Sequence, residues 1–106
     1  MERFGIFSTI YKYELFFQWE QVIELPRDAK IVRVAYQEDT PHDIQHGHLH
    51  WYLRLWAAVN FDRPLEKRRI WMVGTGRNMP PIGNIEFLGS IETPLLEVYH
   101  FFGEIL

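Results

Sequence analysis

The chain has 106 residues, 47% of them hydrophobic and 24% charged, which describes one soluble-type globular domain with a core of its own and leaves little room for a second. A net charge of −3, from 11 Lys and Arg against 14 Asp and Glu, argues against a duplex nucleic-acid binder, because phosphate neutralisation supplies most of that affinity. There is no cysteine, so disulfides, thiolate catalysis and cysteine metal sites are excluded, in keeping with a reducing cytoplasm.

The N-terminal run Met1 to Phe17 carries charges among its apolar residues, and no stretch approaches the roughly 18 uninterrupted apolar residues of a membrane helix. Neither a signal peptide nor a membrane span is expected. Ser8 to Leu15 is β-branched and aromatic, with Thr9, Tyr11, Tyr13 and Leu15 on one face and Ser8, Ile10, Lys12 and Glu14 on the other. Glu20 to Leu25 alternates in the same way and stops at Pro26, which has no N–H for a ladder. Lys30 to Gln37 is a third strand, with Val32, Val34 and Tyr36 expected inward and Arg33 outward.

Glu38 to His50 breaks the pattern with acids, Pro41, Gly47 and the histidines His42, His46, His48 and His50, and reads as a long hairpin loop. Leu53 to Arg77 then forms the centre of the chain, two strands joined through Asn60 to Pro64. Leu53, Leu55, Ala57 and Val59 make one apolar face. In the second strand Arg69, Trp71 and Val73 alternate with Arg68, Ile70 and Met72, so neither face is wholly apolar. An arginine and an indole on one face suggest a ligand surface. Pro80 and Pro81 make the segment after Arg77 irregular; Ile85 to Glu92 is a half-buried strand, and Leu95 to Phe102 a last one that could end at Gly103. The chain is thus a single domain, residues 1–106, of all-β class. Its short connections predict a small antiparallel sandwich or open barrel of about seven strands.

Three groups of residues carry possible chemistry. Gly74-Thr75-Gly76-Arg77 ends the central strand; its glycines let N–H groups approach an oxyanion, Thr75 adds a hydroxyl and Arg77 a bidentate fork, although a Gly-x-Gly turn is most often only a turn. Trp56, Trp71, Tyr11 and Tyr13 offer flat faces for stacking, beside the cations Arg54 and Arg69, or serve as core and interface residues. His46, His48 and His50 at alternate positions would share a strand face and suit zinc, with a solvated histidine-rich loop as the commoner alternative. No serine stands in a nucleophile elbow, and Glu97 and His100 fall on opposite faces of a strand.

The series Tyr11-Lys12-Tyr13-Glu14-Leu15, Glu20-Gln21-Val22-Ile23-Glu24-Leu25-Pro26, Ala29-Lys30-Ile31, Leu55-Trp56-Ala57, Glu66-Lys67-Arg68 and Val73-Gly74-Thr75-Gly76 resembles a widespread family of small bacteriophage proteins of largely unknown function. Some phage families of this sort act as anti-CBASS sponges, which sequester the cyclic nucleotide signals of bacterial immunity. The resemblance implies a non-enzymatic, cofactor-free protein of the host cytoplasm that captures a cyclic di- or oligonucleotide. Stacking would fall to Trp56 and Trp71, and phosphate contacts to Lys12, Arg69, Thr75 and Arg77. A symmetric ligand also suits a homo-oligomer, since an isologous interface presents each residue twice. The alternatives are a protein-interaction module that inhibits a host protein through exposed aromatics, and a metal-dependent hydrolase built on His46, His48 and His50.

Overall fold

Period-two alternation of apolar residues, punctuated by Gly, Pro and Asn, produces an all-β structure in the computed structural model, which describes residues 5–38 and 51–106. The seven strands are β1 (Thr9–Leu15), β2 (Glu20–Pro26), β3 (Lys30–Glu38), β4 (Trp51–Val59), β5 (Leu65–Gly74), β6 (Glu86–Glu92) and β7 (Val98–Ile105). They form two antiparallel sheets, one ordered β1-β4-β3 and the other β2-β5-β7-β6. The sheets pack as a small sandwich that does not close into a barrel.

The core lies where the inward rows of the sheets meet. From β4 it takes Leu53, Leu55, Ala57 and Val59, all but sealed from solvent, as the alternation requires. From β5 and β7 it takes Ile70, Met72 and Phe101, with Leu15, Leu25, Val34 and Ile91 completing the cluster. The inward row of β5 also carries Arg68. Its side chain is 8% exposed, and its guanidinium donates to the Ala29 carbonyl at 2.7 Å, with Nε 3.6 Å from Glu66.

Two expectations change in the folded chain. Val32 was expected inward, yet it is 41% exposed. The register against β4 shifts between Ile31 and Arg33, so Val32 is the extra residue of a β-bulge and Ile31 takes its place against the core. The last strand begins at Val98 rather than Leu95 and continues through Gly103 to Ile105. Pro94, Leu95 and Leu96 instead make the β6–β7 turn, with Leu96 at φ 62° and its N–H donating to the Thr93 carbonyl. Gly103 lies inside the ladder because the Leu88 side chain fills the place of a Cβ: an added one would stand 3.1 Å from Leu88 Cδ1.

The link between β1 and β2 crosses from one sheet to the other. Gln21 holds this arch: its amide donates to the Phe16 carbonyl at 2.7 Å and accepts from the Phe16 N–H at 3.0 Å. A buried side-chain amide thus does the work of an opposing peptide group.

Candidate functional site

The residues that sequence reasoning grouped into one ligand surface separate into two sets, because they belong to the outward rows of different sheets. Lys12, Arg54 and Trp56 lie on the outside of the β1-β4-β3 sheet, with Lys12 directly opposite Trp56. Arg33, opposite Trp56 on the other flank, places its guanidinium 5.4 Å from the indole centroid. Arg54 pairs with Glu14 across the β1–β4 ladder at 2.9 Å. Arg69 and Trp71 lie on the outside of the second sheet. There Arg69 is held between Glu20 at 3.0 Å and Glu104 at 3.1 Å, tying β2, β5 and β7 together, and sits 5.7 Å from the Trp71 ring. Its charge is already balanced, so it is a poor holder of phosphate.

The Gly74 to Arg77 turn is built tightly. The Thr75 N–H donates to the Val98 carbonyl at 3.2 Å and the Arg77 N–H to the Gly74 carbonyl at 3.0 Å, so neither amide is turned toward an oxyanion. Gly76, at φ 85°, supplies the left-handed residue that closes the turn. The Thr75 hydroxyl donates to the Val98 carbonyl at 3.2 Å and lies 3.1 Å from His100 Nε2, while Ser90 Oγ lies 2.7 Å from His100 Nδ1. If the threonine proton is given to Val98, Nε2–H donates to Thr75 and the Ser90 hydroxyl donates to Nδ1. That chain pins the turn to β7 and β6. Ser90 sits in mid-strand rather than on an elbow, so the arrangement reads as positioning for the turn.

What the turn does supply is Arg77. Two adjoining hollows of about 400 Å³ each share Arg77 and Trp19 as walls. One continues over Trp71, Met72, Met79 and Pro80; the other over Gly74, Thr75, Leu96, Glu97 and Tyr99. Both volumes fall within the range of small-molecule sites. Among the described residues no carboxylate stands within ion-pair distance of Arg77, in contrast to Arg54 and Arg69. The Trp71 indole N–H is sealed from solvent and meets no acceptor among the described residues.

Tyr99 closes the second hollow. Its hydroxyl donates to Glu97 at 2.5 Å, and its ring packs edge-on to Phe17 at 5.0 Å and near Trp19 at 6.2 Å. The hydrogen bond to Glu97, then burial, holds its hydroxyl above the ordinary tyrosine range, with the Arg77 charge working the other way. Tyr13 and Tyr36 are also raised, mainly by burial. Because the folded state holds these protons more tightly, their contribution is intact below the unfolded value of about 10 and is lost as pH rises through the folded values. Stability to urea is therefore expected to fall above about pH 10, and less steeply in Tyr99→Phe; an equal slope in both proteins would contradict this.

Sequence reasoning missed Trp19, Tyr99 and Met79. Trp19 belongs to the cross-sheet arch and Met79 to the proline-rich segment, so period-two alternation gave neither a face, and only the fold brings them beside Arg77. His46, His48 and His50 lie outside the described residues. Among the described residues no three His, Asp or Glu side chains are grouped to hold a metal ion, and no helix is long and apolar enough to cross a membrane.

A family model described as a domain of unknown function, DUF7352, matches residues 7–105. No curated protein and no solved structure matches the chain.

Proposed function

We propose, from the premise that the chain belongs to the DUF7352 family of unknown function, that this member binds and sequesters a cyclic di- or oligonucleotide without cleaving it. The observation that carries the reading is the pair of hollows sharing Trp19 and Arg77: two aromatic-walled spaces with a cation uncommitted to any described carboxylate between them. A base stacked on an aromatic ring gains about 1–3 kcal/mol, and a charged hydrogen bond to phosphate about 1.5–3 kcal/mol. Two bases and one arginine-held phosphate thus offer roughly 3.5–9 kcal/mol gross, so tight capture requires a preorganised site that keeps the cost of association low.

In this reading Arg77 takes the phosphate, Trp19 and Trp71 stack on bases, and Glu97 accepts from a base amino group. Lys12, Arg54 and Trp56 stand on the outside of the other sheet and take no part. The biological setting is the one the resemblance implies: a phage anti-defence protein that depletes a host cyclic-nucleotide signal. Capture needs no nucleophile, so the protein is proposed as a binder rather than an enzyme.

Isothermal titration calorimetry against cyclic di- and trinucleotides tests this, with recovery of intact ligand after heat denaturation. Wild-type binding weakened at least tenfold in Arg77→Ala is expected, that factor corresponding to about 1.4 kcal/mol. Absence of heat with every ligand, or recovery of a cleaved product, would overturn it. A second reading has its own support. Phe16, Phe17, Trp19, Leu95 and Leu96, all half or more exposed, cluster on the arch and the β6–β7 turn, and such apolar exposure also suits a protein partner. Failure of the calorimetry would move the assignment there.

A further inference from the structure

We infer that the protein pairs with a second copy of itself through the free edge of β1, antiparallel and with Tyr13 on the twofold axis. β1 ends its sheet, bonded to β4 on one side only among the described residues. It has no proline, and Thr9, Ile10, Tyr11, Lys12 and Glu14 are exposed, including Ile10 at 58% and Tyr11 at 50%. An edge of this kind is a template for another strand.

The direction of the backbone groups limits the possible registers. Both the N–H and the carbonyl of Phe16 are taken by Gln21, and the Ser8 N–H donates to the Val59 carbonyl of β4, so an incoming strand bonds within residues 9–15. Within that span alternate residues direct their N–H and carbonyl groups to the free side. A twofold antiparallel pair centred on a residue sets odd-numbered residues opposite odd and even opposite even.

Besides a pairing centred on Tyr11, which sets Ile10 against Lys12 and joins no opposite charges, two compact registers meet that condition. Centred on Lys12, the pair sets Lys12 against its own copy and Ile10 against Glu14, a like-charge contact at the axis. Centred on Tyr13, it sets Lys12 against Glu14 twice and Tyr11 against Leu15, and it needs no bond from Phe16, whose backbone groups Gln21 already takes. Opposite charges across strands are favourable and like charges unfavourable, so the second register is selected. Glu14 already holds Arg54 at 2.9 Å, and its carboxylate has capacity for a second cation. The partner's lysine then completes a Arg54–Glu14–Lys12 row running across the joined sheets. Exposed Tyr11 is covered in the same step.

The cysteine-free chain makes the register directly readable. Tyr13 is the one residue that this register places opposite its own copy, so its side chains lie beside each other across the axis. Single-cysteine variants Tyr11→Cys, Lys12→Cys and Tyr13→Cys would be oxidised and resolved on a non-reducing gel. Disulfide dimer should form at least tenfold faster at position 13. Sedimentation velocity of the wild type should show a dimer, weakened at least tenfold by the exposed substitution Lys12→Glu and retained in Lys12→Arg, which keeps the charge opposite Glu14. A wild-type monomer at 100 µM, on the order of the weakest affinity an interface of this kind would have, overturns the inference. So does faster crosslinking at 11 or 12, or a dimer indifferent to Lys12→Glu.

Discussion

Phe101→Ala is expected to lower the free energy of unfolding by about 3–5 kcal/mol, a large part of the 5–15 kcal/mol available to a domain of this size. Phe101 is fully buried, and its ring lies where the two sheets meet. In the ladder it opposes Met72 of β5, and Gly89 of β6 is its partner on the other side. It therefore stands in the inward row of the middle of the sheet, with neighbours that cannot collapse into the space it vacates without breaking registers. Gly89 is bound to its place as well, because its φ of 147° is available to few other residues. The loss combines removed apolar surface with the cavity left behind. Urea titration would measure it as a lower midpoint at an unchanged slope. A loss below about 1 kcal/mol, the range of a surface substitution, would mean that the sheets do not meet at this ring.

Arg68→Ala is expected to cost about as much, roughly 3–5 kcal/mol, for a different reason. The guanidinium is sealed between the sheets, donates to the Ala29 carbonyl and faces Glu66, whose side chain is 21% exposed. Truncation leaves that carbonyl without its donor and that carboxylate without its cation, and deletes an aliphatic stem that packs in the core. Arg68 also walls a hollow of about 290 Å³ together with Ile31, Ile82, Ile85, Leu88 and Ile105. A methionine can occupy the stem's path among those apolar residues, so Arg68→Met should recover a substantial part of the loss. Equal destabilisation by Ala and Met would assign the whole effect to the charge; a methionine variant as stable as the wild type would show that the buried charge contributes nothing net.

The architecture was legible in the sequence wherever alternation ran undisturbed. Leu53, Leu55, Ala57 and Val59 identify the inward row of β4 by themselves, since a strand turns successive side chains to opposite faces and only one face here is apolar. Legibility failed where that period is interrupted. The bulge at Val32 adds one residue without any composition signal, and Leu96 takes a left-handed conformation that a leucine seldom adopts, so the start of β7 was placed too early. Gly103 looked like a terminator but is the gap into which Leu88 packs.

For the candidate site, residue type pointed to Arg77, Trp71 and the cations, and could go no further. Arg54, Arg69 and Arg77 are alike as letters. Their difference is the presence of Glu14 beside the first and of Glu20 and Glu104 beside the second, and those partners stand on other strands, 35 or more positions away in every case. Local composition determined the all-β class, the strand number and the buried rows, because those follow from the period of one strand at a time. Only the tertiary structure decided which aromatic rings meet Arg77 and that Trp56 and Trp71 face away on different sheets, because contacts between strands depend on order and register, which no single strand encodes.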